Sequence, residues 1–407
     1  MYIINMYNTD HTVHKRRKRV CFVSTTRADW GLLMPLAEEL RRRGHIDVDI
    51  VASNMHLLDS YGHTVDEIRN AGFEPTMVDM AVDGDDEVSR AHAMALCLSG
   101  MADAFARLCP DAAVMLGDRY EMLAAASAAA VMHIPVIHIA GGEISEGAVD
   151  DSFRHAITKM ASLHLTATET YRRRVIQMGE TPAAVINTGA IGVWNGDNTG
   201  LMSRAELESD LGFSLEPPLA LVTYHPATND HKATPDERIA ALLEAIDRFD
   251  NLRAVITYPN NDAGSARIIE RIEAYGRNRP EKVLVVKSLG MLRYQSMLRV
   301  ASMVIGNSSS GIVEVPSAGI PTVDTGIRQR GRDAAPSVIH CGESSDEIAD
   351  AIQKALSPHM RDIAARRENP YSKADTLNIM ADAVERFVAS TPCPPKSFYN
   401  IDIPADL

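Results

Sequence analysis

Short apolar β-type runs alternate with helix-periodic stretches along most of the chain, and this alternation constrains the fold more than any other feature. Val20 to Val23 is a β-run, and Leu32 to Arg43 repeats apolar residues at helical spacing through Leu32, Leu36 and Leu40. Asp47 to Ala52 reads as a strand, Thr64 to Ala71 as a helix stopped at Gly72, and Ala91 to Leu108 as a long amphipathic helix. Ala112 to Leu116 is an apolar strand running into Gly117-Asp118; Met122 to Met132 is helical and Pro135 to Ile139 a strand. Such a series predicts an α/β fold with a parallel sheet covered on both faces.

The series restarts after a polar stretch, Trp194 to Gly200. Strands are expected at Leu219 to Thr223, Arg253 to Thr257, Val283 to Val286, Met303 to Ile305 and Pro321 to Val323. Helices are expected at Pro235 to Arg248, Ala263 to Tyr275, Tyr294 to Val300 and Ser345 to Leu356. A chain of 407 residues is too long for one ordinary core. The boundary falls near 192 to 200, giving a tail over 1–18 and two facing Rossmann-like domains over 19–192 and 193–372. Ligands of such sheets sit beyond the carboxyl ends of the strands, so the loops there hold the candidate site.

Composition narrows the partners. The net charge of −13 argues against nucleic acid as the main partner. Lys15 to Arg19 is basic, but only Val20 to Val23 follows before polar Ser24, far short of the ~7 to 15 residues of a secretory h-region. It reads as a solvated lead-in to the first strand. The apolar stretch Met122 to Ile139 is broken by His133 and Pro135, so no membrane span is expected. Five widely spaced cysteines (Cys21, Cys97, Cys109, Cys341, Cys393) predict neither disulfides nor a metal site, and point to the cytoplasm.

Gly306-Asn307-Ser308-Ser309-Ser310-Gly311 joins a strand to an apolar helical pattern that starts at Ile312. Small residues let a phosphate approach the backbone, and a helix N-terminus favours its charge; serine capping explains the segment equally. Glu314 can stabilise the helix dipole or accept ribose hydroxyls. Pro316 opposes a regular helix and predicts a kink or a delayed start. Arg27 and Arg328 follow strands, where a guanidinium suits a diphosphate. Neither GxGxxG nor GxxxxGK[ST] occurs, which counts against NAD(P) dehydrogenases and P-loop NTPases.

Acids and histidines cluster after strands of the first half: Asp118 to Glu121, His138 to Glu143, and Asp150 to His155. Asp118 with Glu121 also fits a capping box, and Asp150 or Asp151 an N-cap. Carboxylates at several strand ends are nevertheless what acid/base chemistry on a sugar requires. His225-Pro226 brings an imidazole from the second half.

Taken together, Arg27-Ala28-Asp29, Gly117-Asp118-Arg119, Gly141-Gly142-Glu143, Asp150-Asp151-Ser152 and His155 to Lys159 occur in the order of one family. So do His225-Pro226, Tyr258-Pro259-Asn260, Gly306-Asn307-Ser308-Ser309 with Glu314, and Arg328-Gln329. The chain resembles the hydrolysing UDP-N-acetylglucosamine 2-epimerases, the branch that feeds sialic- and legionaminic-acid synthesis. The resemblance implies a glycosyltransferase-B-type fold, a C-terminal helix within 373–407 that returns to the first domain, and a homodimer or homotetramer. It implies conversion of UDP-N-acetylglucosamine and water into N-acetylmannosamine and UDP through a 2-acetamidoglucal, with no cofactor and no required metal. Asp118 and Asp150 would be the acid/base carboxylates, and His225 would assist the leaving diphosphate. Arg27, Ser308, Ser309, Glu314 and Arg328 would hold UDP, with Ala28, Arg119, Asn260 and Asn307 beside them.

Two departures concern the sugar pocket. Several relatives carry glutamate where this chain has Ala140, 22 residues beyond Asp118, so either Glu143 takes that role or one carboxylate is dispensable. Tyr371 to Asp375 replaces a Gly-rich stretch. UDP-2,4-diacetamido-2,4,6-trideoxyglucose is the alternative substrate. The competing functions are a non-hydrolysing epimerase, a glycosyltransferase of the same architecture, and a non-enzymatic sugar-nucleotide sensor.

Overall fold

The computed structural model describes residues 16–402, apart from 60–61, 82–83, 85, 147–148, 199, 228–232, 261, 263 and 393–394. The first half alternates β1 (Lys18–Ser24), α1 (Arg27–Arg43), β2 (Ile46–Ser53), α2 (Val65–Asn70), β3 (Thr76–Val78), α3 (Glu87–Leu108) and β4 (Ala112–Leu116). It continues with α4 (Tyr120–Val131), β5 (Val136–Ile139), α5 (Asp150–Met160), β6 (Leu163–Thr166), α6 (Glu169–Gln177) and β7 (Val185–Asn187). Helices α7 (Ile191–Asn198) and α8 (Arg204–Leu211) lead to β8 (Leu219–Thr223), α9 (Pro235–Asp247), β9 (Arg253–Thr257), α10 (Ser265–Arg277), β10 (Val283–Val286) and α11 (Gly290–Val300). Then come β11 (Met303–Gly306), α12 (Ser309–Val313), α13 (Val315–Ala318), β12 (Thr322–Thr325), β13 (Val338–Cys341), α14 (Ser345–Leu356), α15 (Pro358–Ala365) and α16 (Thr376–Ala389).

The strands form two parallel sheets, ordered β3-β2-β1-β4-β5-β6-β7 and β10-β9-β8-β11-β12-β13. Strand order reverses between β1 and β4 in the first sheet and between β8 and β11 in the second, and crevices open at such points. Successive side chains of β1 enter opposite cores, because strand side chains alternate faces. Val20 and Phe22 pack with α1 and α16, and Cys21 and Val23 with α3 and α4. Each fully buried Phe or Leu there contributes roughly 1.5–3 kcal/mol. Helix α16 thus sits on the first sheet, through Met380, Val384 and Val388.

Several expectations need correction. The polar stretch from Trp194, read only as the break between the two series, is helical as far as Asn198 and makes up most of α7. Its glycines serve close packing: a Cβ on Gly192 would lie 2.2 Å from Glu314 Oε1, and one on Gly196 3.0 Å from Gln295 Oε1. Asn195 has a partner-driven role as well. Pro35, inside α1, has no N–H for the Gly31 carbonyl one turn earlier, and Asn195 Nδ2 donates to that carbonyl at 2.8 Å. Strands β3, β6, β7 and β13 escaped the sequence reading because they are only 3 or 4 residues long and include polar residues such as His164, Asn187 and His340. The second-half helix starts at Ser309, ahead of Ile312, and is broken at Glu314 just before Pro316, as the proline predicts.

The basic segment before β1 is also more structured than a lead-in. Lys18 and Arg19 belong to the strand, and Arg16, Arg17, Lys18 and Arg19 pair with Asp111, Asp47, Asp111 and Asp49. Cys21, Cys97, Cys109 and Cys341 carry free thiols; Cys393 lies outside the described residues. Among the described residues no helix is long and apolar enough to cross a membrane.

Candidate functional site

The loops that leave the strands at both reversal points face each other and enclose one cavity lined from both halves of the chain. After β1, Thr26 caps α1: the Asp29 N–H donates to Thr26 Oγ1 at 3.1 Å, while Asp29 Oδ2 accepts from the N–H groups of Thr25 and Thr26. This box presents Ala28 and Asp29 to the cavity. Arg27 occupies the first helical position but lines an adjoining pocket with Thr64, Tyr258, Asn260 and Lys287. Burial lowers the pKa of its guanidinium.

Beyond β4, Asp118 and Arg119 enter the cavity. Helix capping does not explain Asp118: the cap position of α4 is Arg119, without a side-chain bond, and Asp118 Oδ2 instead accepts from Arg154 Nη2. Arg154 is buried and also donates to the Glu143 carbonyl, Asp151 Oδ1 and Ser145 Oγ. Arg119 bonds the fully buried Glu121 and lies 3.6 Å from Asp262 of the second half. His138 holds the turn before Asp118 through Nε2 and the Gly117 carbonyl, at 2.8 Å. Burial lowers its pKa to about 4, so the ring is neutral.

Asp150, at the start of α5, makes no capping bond either; the cap position is Val149. Burial, then the nearby Asp262 charge, raise its pKa to about 6, with Arg119 and Arg328 opposing. A carboxyl poised there exchanges protons near neutral pH. Ala140 lines the cavity in the left-handed backbone region, at φ 65°. Three residues on, Glu143 is buried and its Oε2 lies 2.5 Å from Arg332 Nη1, across the cleft. Burial raises the Glu143 pKa and Arg332 opposes the rise.

In the second half, Gly306 ends β11 where only glycine fits: a Cβ would lie 1.9 Å from the Thr223 carbonyl oxygen. Asn307 sutures two strand ends, accepting from the His225 N–H at 2.7 Å and donating to the His225 carbonyl at 2.8 Å. Its side chain is thereby spent on His225, and Asn307 and Ser308 are not among the cavity's lining residues, whereas Ser309 is. His225 is buried behind that lining; its Nδ1 accepts from the Asn260 N–H at 3.2 Å, which leaves the proton on Nε2. Burial first, then Arg328, lower its pKa to about 3, so the imidazole is a neutral donor. Arg328 and Gln329 both donate to the Asn307 carbonyl and line the cavity with Glu314 and Asn260. Among the described residues Glu314 Oε2 and Gln329 Oε1 are buried acceptors with no hydrogen-bond partner, so both have capacity for hydroxyl or N–H donors of a ligand.

Of the residues singled out in the sequence, the structure brings Ala28, Asp118, Arg119, Glu143, Asp150, Asn260, Ser309, Glu314 and Arg328 onto one cavity; His225, Asn307 and Ser308, expected at the substrate, are not among its lining residues, and Arg27 lines the adjoining pocket. Sequence reasoning missed Arg154, Asp262 and Arg332. Arg154 sits one helical turn after Asp151 on α5, a spacing that flags the pair. No local signal marks Asp262, whose partners come from the other sheet. Also unforeseen was the apolar wall formed by Leu32, Leu116, Ile139, Leu165, Ile191 and Val313.

The family model for UDP-N-acetylglucosamine 2-epimerase matches residues 38–385. A Campylobacter jejuni protein described as GDP/UDP-N,N'-diacetylbacillosamine 2-epimerase (hydrolyzing) is 36% identical over 345 residues, covering 85% of this chain and 89% of that protein. Escherichia coli polysialic acid biosynthesis protein P7 is 34% identical over 386 residues, covering 94% and 98%. The crystal structure of UDP-GlcNAc 2-epimerase from Neisseria meningitidis bound to UDP-GlcNAc superposes with a TM-score of 0.74 at 17% identity, covering 90% of this chain and 100% of that one, which shows the glycosyltransferase-B-type fold. Fold, motif order and sequence agree: this chain belongs to the UDP-N-acetylglucosamine 2-epimerase family.

Proposed function

We propose that the chain is a hydrolysing 2-epimerase acting on a UDP-2-acetamido sugar. The observation that carries this reading is the cavity itself, where Asp118 and Asp150 of the first sheet face Ser309, Glu314 and Arg328 of the second. UDP lies against the second half: Glu314 Oε2 accepts ribose hydroxyls, and Arg328 with the α12 N-terminus meets the diphosphate. One carboxylate takes the C2 proton, the C1–O bond breaks, and the electron pair leaves with UDP, giving a 2-acetamidoglucal. His225, neutral and protonated at Nε2, stands behind the lining and supports the diphosphate side through Asn260 and Asn307, which it bonds. Water then adds at C1 while the other carboxyl delivers a proton to C2 from the opposite face, and the carboxylate so formed takes the proton that the water loses. Asp150, with its raised pKa, suits proton donation; Asp118, fastened to Arg154, suits the base.

The sugar is UDP-N,N'-diacetylbacillosamine in this reading. Its C6 methyl and second acetamide methyl suit a wall of Leu32, Leu116, Ile139, Leu165 and Ile191, which offers a hydroxymethyl group no partner, and the Campylobacter relative carries that substrate in its name. UDP-N-acetylglucosamine is the second reading, supported by the polysialic-acid relative. Incubation of each UDP-sugar without acceptor, followed by NMR, decides. Free 2-epimerised sugar plus UDP is expected; a product still joined to UDP would mark the non-hydrolysing reaction, and no turnover a binding protein.

A further inference from the structure

Glu143 and Arg332 stand on opposite sides of the cleft, both almost fully buried, with Oε2 and Nη1 2.5 Å apart. Arg332 Nη2 also donates to Ser145 Oγ at 3.2 Å, and Ser145 Oγ accepts from Arg154 Nη2 at 3.1 Å. Arg154 Nη1 donates to the Glu143 carbonyl at 3.0 Å, and Arg154 Nη2 holds Asp118. On the other side, Arg332 closes a turn with Gln329, its N–H donating to the Gln329 carbonyl at 3.3 Å. Gln329 and Arg328 in turn bond the Asn307 carbonyl behind the diphosphate side of the cavity. Further contacts bracket the same junction: Thr168 Oγ1 donates to Asp333 Oδ2 at 2.8 Å, and the Asp333 N–H to Tyr171 Oη at 2.9 Å.

From this chain of contacts we infer that Arg332 is a positioning residue, which latches the cleft through Glu143 and Ser145 and thereby places the Asp118 carboxylate when the UDP loop is seated. Glu143 is the latch's anchor and not a third acid/base group, which answers the question raised by Ala140. Through Oε2 the Glu143 carboxylate is engaged at 2.5 Å by a buried guanidinium from the other half of the chain, whereas the Asp118 partner, Arg154, comes from the same half; the cross-cleft pairing marks Glu143 as the anchor. The pair also has a physical reason to be mutual, since each charge is desolvated and removal of one strands the other. A misplacement of ~1 Å at Asp118 is enough to cost about 10²-fold in rate.

The inference rests on the proposed hydrolysing epimerase, and a double-mutant cycle tests it. Glu143→Gln, Arg332→Gln and the double variant are assayed for UDP release from the UDP-sugar that the wild type consumes, with UDP affinity from calorimetry. Expected are about 10²-fold losses of kcat in both single variants and a double variant no worse than either, because neighbours in one network are not additive. KM and UDP affinity change little. Arg332→Gln with wild-type kcat, while Glu143→Gln is inactive, overturns the latch and makes Glu143 a catalytic group; additive losses overturn it as well. If single variants fail to fold, the double variant, which has no stranded charge, carries the test: wild-type kcat overturns the inference, a reduced kcat with intact UDP binding supports it. If the wild type releases UDP from no UDP-sugar, the functional reading fails by itself. The latch is then read from UDP-induced compaction in small-angle scattering: present in wild type and lost in the double variant if it holds, equal in both if it does not.

Discussion

Asp118 and Asp150 lie on one cavity but in different electrostatic settings, and that difference predicts their variants. Asp118→Asn and Asp150→Asn are expected to lower kcat by roughly 10²- to 10⁴-fold, the usual worth of a general acid or base. UDP affinity stays close to wild type in both, and so does the melting temperature of Asp150→Asn, whose side chain caps nothing. Asp118→Asn loses the charge facing buried Arg154 but keeps an amide oxygen to accept from it, so a modest fall is expected. An Asp118→Asn protein that melts early with kcat intact would reverse the assignment. The pH profile separates the two carboxyls further. The Asp150 pKa is raised to about 6, so the fraction able to donate falls as pH climbs past that value. The expected result is a decline of kcat/KM above about pH 6, absent from the residual activity of Asp150→Asn. His225 contributes no limb between pH 5 and 9, its pKa being lowered to about 3. The residue types of this site were legible from the sequence. Which acid is ion-paired and which is poised was not, because Arg154, Asp262 and Arg332 set it from other elements.

Two elements invite tests of their own. The β11–α12 junction depends on Gly306, and Gly306→Ala would push a methyl group into the Thr223 carbonyl. Loss of soluble protein or a large fall in melting temperature is expected, whereas Ser309→Trp should fold and lose UDP binding in calorimetry. At the far edge of the first sheet, buried Glu180 accepts from Lys159 and Lys396 at 2.6 and 2.7 Å, with His164 at 3.1 Å. Its pKa is lowered to about 2: burial alone would raise it, and those three donors outweigh burial. A carboxyl depressed in the folded state adds stability above its unfolded pKa, which is lost as pH falls from about 4.5 toward 2. Glu180→Gln should therefore destabilise at pH 7, by about 1–3 kcal/mol, since Lys159 and Lys396 are partly exposed and keep water as a partner. The gap to wild type should narrow in denaturant melts at pH 3.

At the scale of the whole molecule, the bond broken is the decisive observable. With epimerising hydrolysis, solvent ¹⁸O enters the free sugar and not UDP, and in D₂O deuterium appears at C2. Protium retained at C2, or ¹⁸O in UDP, would refute elimination through a glucal. By itself the sequence determined the two strand–helix series and the loop chemistry, since periodicities of two and 3.6 residues and Gly-Ser turns are written within a few neighbouring positions. It also carried the family's motifs in order. Tertiary structure alone decided that the stretch from Trp194 is a helix that repairs the Pro35 gap in α1. It decided too that Glu143 is ion-paired with Arg332 of the other half of the chain. Ser145 and Arg332 are 187 positions apart. Contacts at that range depend on how two sheets face each other across a cleft, and no local pattern of residues encodes that geometry.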